Sequence, residues 1–68
     1  MIMQQHDLKK LTEQYAGFRP SRLCQLWGGA VRIVRIDGED RPITAEFRQN
    51  RLNVSVRKGR VEEILYIG

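Results

Sequence analysis

The spacing of hydrophobic positions changes at Gly28-Gly29, and the change divides the chain in two. Before it, Leu8, Leu11 and Tyr15 recur at the step that gathers side chains on one face of a helix. Asp7 stands ahead of them as an N-cap and Gly17 as a stop. A second short helix is predicted from Pro20, a residue suited to the first turn. It carries Leu23, Leu26 and Trp27 on one face and ends at the paired glycines.

After the glycines the period falls towards two. "AVRIVRI" is rich in β-branched residues, and Val31 and Ile33 alternate with Arg32 until Val34 interrupts. A strand apolar on more than one side suits the interior of a sheet. Asp37-Gly38 begins a turn. In "RLNVSVR", Leu52, Val54 and Val56 face one way and Arg51, Asn53, Ser55 and Arg57 the other. Lys58-Gly59 marks a tight hairpin. The last strand is predicted to set Val61, Glu63, Leu65 and Ile67 against Glu62, Ile64 and Tyr66. The fold class is therefore α+β, a single domain over residues 1–68 with one or two N-terminal helices on one face of a small sheet.

"RPITAEFRQN", Arg41 to Asn50, fits this scheme least well. It is too apolar for an ordinary loop, yet Pro42 cannot donate to a strand ladder and belongs on an edge. Either Ile43 to Phe47 is one more strand of a four-stranded meander, or the segment is a long ordered loop whose flanking strands need not be antiparallel. The pattern leaves both open.

Size and composition narrow the function. A chain of 68 residues buries a modest core. Cys24 is its only cysteine, so no internal disulfide reinforces it, and its place beside the second helix's apolar stripe predicts a semi-buried, inert thiol. No apolar run exceeds about four residues, so no segment is expected to cross a membrane. The N-terminus lacks the apolar centre of a secretory signal. That places the protein in the cytoplasm as written, or in an extracellular or periplasmic space if a signal was removed.

Catalysis is not expected. His6 reads as a solvated residue at a helix start, one Cys and one His cannot make a metal site, and no phosphate-binding glycine loop or cofactor motif occurs. The carboxylates Glu39 and Asp40 sit on a turn, where solvation accounts for them.

The arginines carry more information. They make up nine of the twelve basic residues, and the formal charge is +4. Arg48, Arg51, Arg57 and Arg60 fall close together, and Arg51 shares a strand face with Asn53. Arginine's planar fork suits fixed bonds to carbonyls and carboxylates, so such a row can grip a phosphate backbone or brace a loop of its own chain. One reading is thus a basic module that binds nucleic acid through Arg32, Arg35, Arg51, Arg57 and Arg60. Another is an interaction or oligomerisation domain that pairs through a strand edge or Trp27.

The run "RPITAEFRQNRLNVSV" also resembles the loop and following strand of the potato inhibitor I family of serine-protease inhibitors, the eglin-like proteins. The triplet Arg51-Leu52-Asn53 and the closing Gly68 look nearer to the family's small bacterial and fungal elastase-inhibitor relatives. The shared elements are Pro42, Ile43 and Thr44, then Glu46, Arg48 and Arg51, and a last strand ending in glycine. The resemblance covers residues 31–68.

It implies a serine protease as partner and a protease-binding loop over Pro42, Ile43, Thr44, Ala45, Glu46 and Phe47. Ala45 would fill the primary pocket, Ala45–Glu46 would be the reactive bond, and Arg48, Arg51 and Asn53 would support the loop. A small residue at Ala45 suits elastase- or subtilisin-like pockets. The chain departs from the family in a "DGEDRP" turn about two residues longer, in an unpaired Cys24 and in an added first helix.

Overall fold

A computed structural model describes residues 5–68, with side chains from Asp7 onward, so the reading of His6 as a solvated side chain falls outside it. Helix α1 (Gln5–Tyr15) includes Asp7 in its first turn. Asp7 therefore lies inside the helix and not before it as an N-cap, at the end where the helix dipole favours a negative charge. Helix α2 (Pro20–Trp27) has its proline at the N-terminus and ends on Gly28, whose φ of 75° supplies the left-handed cap. Only Leu23 of α2 is fully buried. Leu26 is 47% exposed, so the stripe predicted to run Leu23, Leu26, Trp27 is narrower than expected. Cys24, one position round the helix from Leu23, is likewise exposed and not semi-buried.

Four strands follow: β1 (Val31–Ile36), β2 (Glu39–Asp40), β3 (Leu52–Arg57) and β4 (Arg60–Ile67). Their order in the sheet is β2-β1-β3-β4, with β1 and β3 parallel and the two outer pairs antiparallel. The central parallel pair excludes the meander, and residues 41–48 take no regular structure. Two tight turns close the antiparallel pairs. Asp37-Gly38 and Lys58-Gly59 all have positive φ, the geometry that two-residue hairpins need. The turns are tied together, because the Asp37 carboxylate accepts the backbone N–H of Lys58 at 2.8 Å.

Leu52, Val54 and Val56 of β3 face the helices, where they join Tyr15, Leu23, Val61 and Ile64 in one core. Tyr15 and Phe18 meet edge to face, with ring centroids 5.7 Å apart. Leu23 and Leu52 are completely enclosed, and each such side chain contributes roughly 1.5–3 kcal/mol.

Strand β4 breaks the alternation predicted for it. Val56 pairs with Val61, Val54 with Ile64 and Leu52 with Ile67, and the register shifts between these pairs. Glu62 and Leu65 are the extra residues, each a bulge that returns the next apolar residue to the core side. Val61, Ile64 and Ile67 therefore share a face at a spacing of three. β1 uses the same device. Its register skips Val34, so Arg32 and Arg35 both reach the polar face, opposite Asn53 and Ser55.

The first half of β4's outer edge is covered by the chain itself. Gly17 donates to the Val61 carbonyl, Val61 donates to that of Phe18, and the N–H of Ile64 finds Thr12 Oγ1 at 3.0 Å. Bulges and covering segments are standard protection against edge-to-edge pairing.

Candidate functional site

Residues 41–51 leave β2, run across one end of the sheet and enter β3. Residues 41–50 are exposed, whereas Arg51 at the foot of the segment is only 6% exposed. The segment starts on the sheet, with Arg41 N–H donating to the Val34 carbonyl. It ends in a turn over Arg48 to Arg51, pinned from α2 by Trp27 Nε1, which donates to the Asn50 carbonyl at 2.9 Å. Gly29 makes this approach possible, because a Cβ there would stand 2.7–2.8 Å from Asn50 atoms.

Between these ends two guanidinium groups hold the backbone. Arg51 donates through Nη2 to the Glu46 carbonyl at 2.9 Å and through Nε to the Gly68 carbonyl at 2.8 Å. Its Nη1 lies 3.4 Å from the Glu46 carboxylate. Arg32, from β1, donates to the Thr44 carbonyl at 3.3 Å. The two bonds fall on either side of Ala45, which is itself exposed.

Asn53 fixes the Arg32 guanidinium directly and shares the Gly68 carbonyl with that of Arg51. It is fully buried beside Arg32 in the parallel register, and its Oδ1 accepts Arg32 Nε at 2.7 Å. Its Nδ2 faces the carbonyls of Arg51, Tyr66 and Gly68 at 3.1–3.3 Å. Only a donor can face three carbonyls, and only an acceptor can face a guanidinium, so the amide has one possible orientation.

Of the residues expected to support the loop, Arg51 thus acts directly and Asn53 acts through Arg32. Arg48 touches the loop through the Glu46 carboxylate at 3.9 Å, with most of its side chain in solvent. Arg32 was not among the expected supports. Its role follows from standing opposite Asn53, a relationship visible only once β1 and β3 are known to be parallel.

Ile43 and Phe47 are 45% and 73% exposed, and a groove of about 260 Å³ runs between the loop and the end of β4. The remaining sheet-face arginines are engaged elsewhere. Arg35 pairs with Asp40, Arg57 with Glu62, and Arg60 donates to the Gly17 carbonyl. The Asp40 carboxylate, through its hydrogen bond first and its charge second, holds the Arg35 guanidinium above its ordinary pKa. Among the described residues no cluster of His, Cys, Asp or Glu is arranged to hold a metal, and no helix is long and apolar enough to cross a membrane.

No protein-family model, curated protein or solved structure matches the chain.

Proposed function

We propose that the protein is a substrate-like, reversible inhibitor of a subtilisin- or elastase-like serine protease, binding through the loop around Ala45–Glu46. The observation that carries this reading is the pair of guanidinium bonds to the carbonyls of Thr44 and Glu46, on the two sides of Ala45. A peptide in a protease cleft is bound as an added strand, by backbone bonds with side chains in pockets. A mobile loop would lose affinity to ordering and be cut as a substrate, whereas a loop already held in shape avoids that cost. The exposed Ala45 offers a side chain for a small primary pocket. Cleavage at Ala45–Glu46 would leave the new C-terminus one residue beyond the Arg32 bond to Thr44, and the new N-terminal residue, Glu46, on Arg51, so that both ends stay near each other for the bond to re-form.

The nucleic-acid reading has less support, because Arg32, Arg35, Arg51, Arg57 and Arg60 each have a partner within the chain. Pairing through the outer edge of β4 is opposed at Val61 and Ile64 by Gly17, Phe18 and Thr12, which already bond them.

The test is inhibition of several subtilisin- and elastase-like proteases, with mass spectrometry to locate any cut. Inhibition, slow cleavage confined to Ala45–Glu46, and weaker inhibition with faster cutting in Arg51→Ala are the expected results. Absence of inhibition at micromolar protein across the panel would refute the reading.

A further inference from the structure

Phe47 is the most exposed large hydrophobic side chain among the described residues, at 73%. It is nevertheless seated. One edge of its ring lies on Gly68, where an added Cβ would stand 3.3 Å from two ring carbons, tighter than most real contacts. Gly68 is in turn fixed by its bonds to Arg51 and Asn53. The fold therefore holds one edge of the ring and leaves the rest in water, an unfavourable arrangement until something covers it.

Ala45 has only a methyl group to offer. Burial of one such group changes affinity about fourfold, whereas a seated aromatic ring with two torsions to fix belongs to the class that dominates interfaces.

We infer that Phe47, two residues beyond Ala45, is the dominant contact of the loop. The partner it fits is a serine protease that joins a small primary pocket to an open apolar pocket on the leaving-group side, wide enough for an aromatic ring. This inference rests on the inhibitor reading above and adds to it the side chain that selects the protease.

The experiment compares inhibition constants of the wild type, Phe47→Ala and Ala45→Gly against the same panel, with urea unfolding of each as a control. The expected result is a loss of about thirtyfold or more for Phe47→Ala at unchanged unfolding midpoint. Ala45→Gly should lose no more than about tenfold, even with glycine's added freedom. A wild type that inhibits while Phe47→Ala loses no more than Ala45→Gly overturns this inference and leaves the inhibitor reading standing. A wild type that inhibits none of the proteases overturns the inhibitor reading first and this inference with it.

Discussion

Asn53 and Arg32 stand side by side on parallel strands, and the buried amide oxygen of one fixes the guanidinium of the other at 2.7 Å. This bond converts an otherwise mobile arginine into a strut for Thr44. Replacement by leucine, close to the same size, would free Arg32 and bury an apolar group against the carbonyls of Arg51, Tyr66 and Gly68. Each would lose one donor, while Arg51 still serves Gly68. Asn53→Leu is expected to cost about 2–3 kcal/mol, read as a lower urea midpoint at constant slope. A cost below about 1 kcal/mol would mean that the network does not hold the sheet end together.

Arg51→Lys keeps the charge and loses the fork, so the carbonyls of Glu46 and Gly68 can no longer both be served. Loss of one charged hydrogen bond is worth about 1.5–3 kcal/mol, which corresponds to loop cleavage at least about tenfold faster. Limited proteolysis by a subtilisin-like enzyme, followed by mass spectrometry, measures it. Wild-type rates in Arg51→Lys would show that charge alone suffices.

Arg48→Ala should behave differently. Its ion pair with Glu46 is long and both partners are mostly in solvent, so the change in stability should stay below about 0.5 kcal/mol. Thermal unfolding of this variant beside Arg51→Lys separates a direct strut from a loosely associated charge.

The bulges in β4 can be tested by truncating neighbours. Ile64 is 2% exposed and joins the core, whereas Leu65 occupies a bulge and is only partly covered. Ile64→Ala should cost about 2–5 kcal/mol and Leu65→Ala clearly less. The reverse order in urea unfolding would restore the simple alternation and remove the bulges.

Gly29→Ala would drive a methyl group into Asn50, including its backbone carbonyl, and crowd Trp27 Nε1 at 3.1 Å. A cost of about 1–3 kcal/mol is expected from such overpacking. Trp27 is the sole tryptophan, so its fluorescence reports loss of the bond to Asn50 directly. Unchanged emission and stability would show that the foot of the loop shifts freely.

Much of the architecture is legible in the residues. Pro20 and the paired glycines bracket α2, the β-branched runs mark β1 and β3, and Asp37-Gly38 and Lys58-Gly59 carry the turns. Local chemistry determines each of these. The pattern fails where a neighbouring element decides. Nothing in "VEEILYIG" alone reveals that Glu62 and Leu65 are bulged, because those shifts suit the pairing with β3, the Thr12 hydroxyl of α1 and the backbone bonds from the segment after it. Arg32 is hidden for the same reason. Its partner lies 21 positions away, and the parallel register that joins them is a property of the assembled sheet. Cys24 and Leu26 were expected to be more sheltered because a short helix was credited with a wider apolar face than it buries.

The parallel pairing of β1 with β3 has a further consequence for the covalent chain. A break between Ala45 and Glu46 would divide the protein into a piece carrying both helices, β1 and β2, and a piece carrying β3 and β4. Those two pieces share the central ladder, and the core is built from both, Tyr15 and Leu23 from one and Leu52, Val54, Val56, Val61 and Ile64 from the other. Severing the loop removes no strand contact and opens no part of the core. The nicked chain is a pair of complementary fragments, expected to elute together from a sizing column and to separate only in denaturant.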